Sequence, residues 1–190
     1  MINNEQKHDS FIFMKVGNHA GETFEQILAR KQKEFDKTGM TFWGYGGAAC
    51  HPVNQVRPFA YSQVKKKGAI YLLMHAVKSN HDQNPLPAKE YSTDGVNWEP
   101  IPDGIVVTGS KYALVLDEIH PSDLEVDMNQ FSVGIGPSKD KLASEYLTGR
   151  TDKACLEAVL GTTTKVDKPT VRKIDYTAQL QDPFAVLLRY

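Results

Sequence analysis

Hydrophobic positions in this chain come in short runs, each bounded by polar or glycine-containing stretches. Phe11-Ile12-Phe13-Met14-Lys15-Val16 is rich in strand-forming residues and predicts a buried strand. Beyond it the period lengthens. Phe24, Ile27, Leu28 and Phe35 recur at helical spacing, Thr23 and Gln26 have the spacing of a capping box, and Gly39 stands where that helix would stop. Residues 41–45 read as a short strand running into Gly46-Gly47. A second helix is expected within residues 53–67, with Pro58 in its first turn, Val56, Phe59, Ala60 and Val64 as its apolar stripe, and Gly68 as its terminator. The apolar stretch 69–77 predicts a central strand, and the polar stretch 78–89 a loop. Residues 91–98 read as a hairpin turning tightly at Asp94-Gly95. Further strands are expected at 104–108, 112–119 and 130–135, and strand-like segments near 171–176 and 184–189. Residues 139–148 and 152–160 read as two short helices, capped by Ser138 and by Thr151 or Asp152. The order predicts an α+β fold: a mixed, mainly antiparallel sheet or partly open barrel with about four helices packed on it. Residues 1–10 are expected to be a flexible lead-in to a single domain at 11–190.

Composition narrows the function classes. With 190 residues, 41% of them hydrophobic and 24% charged, the chain can bury a core without disulfides or metals, and disorder is a poor reading. No apolar run is long enough to span a membrane, and the polar first residues lack a secretory core. Cys50 and Cys155 have no metal-ligand spacing, so reduced thiols in a cytoplasmic protein are expected. The net charge of −1 argues against a coat for duplex DNA. The charge is unevenly spread: residues 1–95 hold 12 Lys/Arg against 9 Asp/Glu, and residues 96–190 hold 10 against 14.

Two glycine-rich loops carry the chemistry. In Trp43-Gly44-Tyr45-Gly46-Gly47 a strand enters a loop before a helix, a geometry that can aim backbone N–H groups at an anion. Trp43 and Tyr45 add flat faces on which a base could stack, and Arg57 lies downstream to supply charge. The pattern matches neither the dinucleotide fingerprint nor a P-loop. The second loop, Gly134-Ile135-Gly136-Pro137-Ser138-Lys139-Asp140-Lys141, repeats the theme, with Arg150 near the far end of its expected helix. Each loop has a plainer reading, as a packing turn and as a Gly-Pro turn with a Ser cap. Cys50 beside His51 is a weaker candidate for thiol chemistry, because catalytic partners seldom adjoin in sequence. Asp117, His120 and Asp123 are weak candidates for a cation site, for which charges on a solvated strand edge are the plainer account.

Phe11–Lys15, Trp43-Gly44, Arg57, Phe59 and Lys67–Tyr71 together resemble the EVE branch of the PUA-like domains over residues 11–75. The resemblance implies an aromatic-lined pocket for a modified or flipped base, with Trp43 forming it. Gly68-Ala69 departs from the Gly-Asp usual there.

Four function classes follow, the last of them an interaction protein with no small ligand. The first is a non-enzymatic binding protein for a phosphate-bearing nucleotide, with small signalling nucleotides among the candidates. It would use Trp43, Gly44, Tyr45, Gly46, Gly47, Arg57, Gly134, Gly136, Ser138, Lys139, Lys141 and Arg150. The second is a PUA-like module reading a base in single-stranded or modified nucleic acid. The third is a small enzyme centred on Cys50 and His51. No cofactor and no membrane partner is expected, and association between copies is left open.

Overall fold

The computed structural model describes residues 9–47, 51–81, 85–159 and 168–190. The chain opens with strand β1 (Ser10–His19), helix α1 (Phe24–Thr38), strand β2 (Thr41–Gly44), helix α2 (Val53–Lys67) and strand β3 (Tyr71–His81). Short strands β4 (Glu90–Ser92) and β5 (Glu99–Pro100) form a hairpin. Then come β6 (Tyr112–Leu116), β7 (His120–Pro121), β8 (Glu125–Asp127), β9 (Phe131–Val133), a single helical turn α3 (Ala143–Tyr146), β10 (Lys153–Ala158), β11 (Val171–Lys173) and the long β12 (Tyr176–Arg189). The sheet runs β2-β6-β12-β3-β1-β10-β9, so it is open rather than closed into a barrel. Its pairings are antiparallel except β1 with β3.

Both faces of the sheet are covered, which explains the unbroken apolar runs. Along β1, Ile12 and Val16 enter one core with Phe24 and Ile27 of α1 and Val56, Phe59 and Ala60 of α2. Phe11 and Phe13 enter a second core with Met128, Phe131 and Leu147. Helix α1 forms where its caps predict, and Gly68 ends α2. Thr23 accepts from the Gln26 N–H while Gln26 Oε1 accepts from the Thr23 N–H, and Gly39 closes α1 in the left-handed conformation.

Several expectations are corrected. There are three helices among the described residues, not four: residues 152–160 hold strand β10 instead. Ala154, Cys155 and Leu156 are all fully buried in succession, with Cys155 in the first core and its neighbours in the second. A helix cannot bury consecutive residues on opposite sides, whereas a strand with both faces covered does so. The expected helix at 139–148 shrinks to α3, whose N-cap is Leu142, so Ser138 caps nothing. Pro58 stands inside α2, beyond its first turn. Residues 104–108 form no strand, and only Thr108 bridges, to Pro87. The hairpin turn is wider than two residues, running from 93 to 98, where the Asp94 carboxylate accepts from the N–H groups of Val96 and Asn97. Those bonds hold the Asp94 carboxyl well below the usual carboxylate range. Of the expected lead-in, Asp9 pairs with Lys67 and Ser10 opens β1; residues 1–8 lie outside the described residues.

Candidate functional site

A cleft of about 600 Å³ lies beside the middle of β1. Residues 14–19 of β1 form its floor, Ile27, Arg30 and Lys31 of α1 one side, and Trp43, Gly44, Gly46 and Gly47 its end. The segment 106–110 and the start of β10, Asp152 and Lys153, complete it. This is the size range of small-molecule sites.

Much of the wall is held by a buried ionic cluster. Phe24, Ile27, Lys31 and Glu34 make the inward stripe of α1. The Lys31 ammonium, 4% exposed, donates to Glu34 Oε2 at 2.9 Å, to the Phe42 carbonyl at 2.5 Å and to the Val106 carbonyl at 2.8 Å. Arg30 bridges Glu34 (2.9 Å), Glu22 (2.6 Å) and the Val106 carbonyl (2.8 Å). The Val106 N–H donates back to Glu34 Oε1 at 3.0 Å, and the Thr41 hydroxyl also donates to Glu34. Every acceptor position of this buried carboxylate is occupied, which is what a charge out of water requires. Burial pushes the Lys31 ammonium down to about 8, against the opposing pull of Glu34. From the floor, Lys15 donates to the carbonyls of Leu147 and Thr151, both at 3.0 Å. Burial and the neighbouring Arg172 lower its pKa.

The first glycine loop therefore reaches the cleft, in a role different from the expected one. The N–H groups of Tyr45 and Gly46 both donate to the Tyr112 carbonyl at 3.1 Å, so neither is aimed at a ligand. Gly44 and Gly46 give room to their neighbours instead. A Cβ on Gly44 would stand 2.5 Å from the Ser110 hydroxyl, and one on Gly46 2.2 Å from the Tyr112 ring. Trp43 lines the cleft with its indole N–H on Met14 Sδ at 3.2 Å, while Tyr45 is fully buried against Tyr112.

The second loop is placed elsewhere. It folds back on β9 through Asp140 N–H to the Val133 carbonyl and Val133 N–H to the Lys141 carbonyl. Gly134 packs on Phe59 and Glu157, and Gly136 on Gln55 and His51. Lys139 and Lys141 are exposed, and Ser138 sits in the turn between them. His51 is thus joined to this loop, its ring parallel to that of Tyr146 and its pKa lowered by burial; Cys50 lies outside the described residues. Arg57 is structural, donating to the Ala185 and Thr93 carbonyls. Arg150 is exposed on the turn after α3 and does not line the cleft. Asp117 accepts from the Gln179 N–H at 2.8 Å, and burial raises its pKa. His120 and Asp123 are exposed, and no group of three or more His, Cys, Asp or Glu among the described residues is placed to hold a metal.

Sequence reasoning missed Lys15, Asn18, Arg30, Lys31, Ser79, Ser110 and Lys153 of the cleft. One signal was present: Lys31 and Glu34 continue the Phe24–Ile27 stripe at helical spacing, so two charges stood on a core-facing line. No helix among the described residues is long and apolar enough to cross a membrane. No family model, curated protein or solved structure matches the chain.

Proposed function

We propose that this protein binds a phosphate-bearing nucleotide, without catalysis, in the cleft between β1, α1 and the first glycine loop. One observation carries the reading: Trp43, Gly44, Gly46 and Gly47 line the same cleft as the cations Lys15, Arg30, Lys31 and Lys153. A nucleotide needs a flat apolar contact for its base and positive potential for its phosphate, and both converge there. Anion recognition then belongs to side chains, Lys15 and Lys153 foremost, because the Tyr45 and Gly46 amides are engaged with the Tyr112 carbonyl. The second glycine loop, Arg57 and Arg150 take no part.

A thermal-shift screen against a nucleotide panel tests this. A ligand that binds only the folded state at a hundredfold excess over its Kd adds about 2.7 kcal/mol of stability. A hit should be weakened in Trp43→Ala by roughly 1–3 kcal/mol, the value of a base–aromatic stack. If no nucleotide moves the midpoint, the reading fails. The other reading, a module for a modified or flipped base within a strand, would use the same Trp43 contact. It differs in salt response, since several phosphate contacts make affinity fall steeply with added salt.

A further inference from the structure

The cleft continues past Asn18 and Ser79 into a second, more open groove of about 550 Å³, lined also by Phe24, Glu25, Ala76, Val77 and Lys78. The junction is made by an irregularity in the parallel β1–β3 pair. Val16 pairs with Ala76 but Asn18 pairs with Asn80, so three residues of β3, Val77–Ser79, bulge opposite Gly17 alone. Bulges of this kind re-aim side chains beside binding sites. Here the bulge is possible because residue 17 is glycine: a Cβ there would lie 2.2 Å from the Ser79 hydroxyl and 2.8 Å from the Val77 carbonyl.

Asn18 has a fixed orientation at this junction. Its Oδ1 accepts from the Phe24 N–H at the start of α1, at 3.0 Å. The carbonyl end of the amide is therefore committed, and the NH2 end is left as a pure donor. Ser79 brings a hydroxyl to the same place. Two side-chain donors at a neck between two cavities call for a ligand whose acceptor lies in its middle.

The charge balance selects the acceptor. The cations of the first cavity, Lys15, Arg30, Lys31 and Lys153, face Glu22 and Asp152, with Glu34 beneath Lys31. In the groove Lys78 is offset by Glu25. A single positive charge is in surplus, which suits one phosphodiester and disfavours a di- or triphosphate. Resting on the nucleotide reading above, we propose that the ligand is a dinucleotide: two nucleosides joined by one phosphodiester, one unit in each cavity and the bridging phosphate at Asn18 and Ser79.

The test is calorimetric titration of the full chain with nucleoside 5′-monophosphates and with dinucleoside monophosphates, in the wild type, Asn18→Asp and Ser79→Ala. Asp at 18 keeps the acceptor that holds the Phe24 N–H, removes the donor and sets a negative charge against the phosphate. Ser79→Ala removes the second donor without touching the α1 cap. The expected result is that a dinucleoside monophosphate binds roughly tenfold or more tighter than its mononucleotide, and that both variants lower dinucleotide affinity by more than mononucleotide affinity, so that this gain is lost. Equal affinities for the two ligand sizes, or a gain that survives both substitutions, overturns the dinucleotide and leaves the mononucleotide reading standing. Still tighter, steeply salt-dependent binding of longer oligonucleotides overturns it in favour of a strand. Binding of neither size removes the nucleotide reading itself.

Discussion

Lys31 shows how one residue links the core of this protein to its cleft. Its ammonium is buried, yet it ties α1 to β2 through the Phe42 carbonyl and to the cleft wall through the Val106 carbonyl. Burial sets its pKa to about 8, against 10.5 for the ordinary group. Between those values the unfolded chain holds more protons than the folded one, so the Lys31 contribution to stability rises with pH across that window. The rise is about 3 kcal/mol at the most, from the energy of a pKa shift of this size. Urea denaturation from pH 7.5 to 10.5 should therefore show wild-type stability gaining on Lys31→Met as pH increases. Parallel behaviour of the two proteins would show that Lys31 does not carry the shift. The role of Lys31 was hidden in the sequence for a physical reason. A stripe is recognised by its apolar members, and Phe24, Ile27 and Leu28 suffice to orient α1 without asking why Lys31 and Glu34 lie on the inward line.

At the scale of elements, legibility followed how local the determinants are. The ends of α1 are set by Thr23, Gln26 and Gly39 within a few residues of the helix, and the structure has that helix where they place it. The limits of α2, Val53–Lys67, likewise match the expected range and end at Gly68. β10 had the opposite fate. Its Ala154, Leu156, Glu157 and Ala158 favour a helix locally, and only the vacancy between β1 and β9 makes them a strand. Tertiary pairing outweighed propensity there, and no window of neighbouring residues contains that information. Pro58 is a local determinant that the fold overrides at a cost. Standing inside α2, it removes the N–H that would reach the Asn54 carbonyl. Because Pro58 is exposed, an Ala there adds no packing clash. Pro58→Ala should then raise the thermal midpoint, by an amount corresponding to about 1–3 kcal/mol. An unchanged or lowered midpoint would mean that α2 is already bent to suit the ring.

At the scale of the whole molecule, the cleft is assembled from pieces remote in sequence: 14–19 and 22–31, 43–47, Ser79, Pro85, 106–110 and 152–153. The first glycine loop was the one piece visible as a motif, and within it the Tyr45 and Gly46 amides donate to the Tyr112 carbonyl. The other pieces bear no motif, because a single lysine, asparagine or serine gains its meaning only from what the sheet order brings beside it. The sheet order also decides how a ligand must be felt. The segment 106–110 is bound to α1 through Val106, to β4's approach through Ala88 N–H on the Val107 carbonyl, and to the last residue through the Tyr190 hydroxyl on Ser110. A nucleotide in the cleft would touch this segment, β1 and the start of β10 together. Native-state hydrogen exchange with a saturating nucleotide hit should accordingly slow in 14–19, 106–110 and 152–153 as one group, since openings of a shared wall are suppressed together. Protection confined to 43–47 would place the ligand on the glycine loop alone, and protection of 134–141 would move it to the start of α2, beside His51 and Gln55. Either outcome rejects the cleft, and the joint slowing of segments joined only by the fold is the signature that a loop-centred site cannot produce.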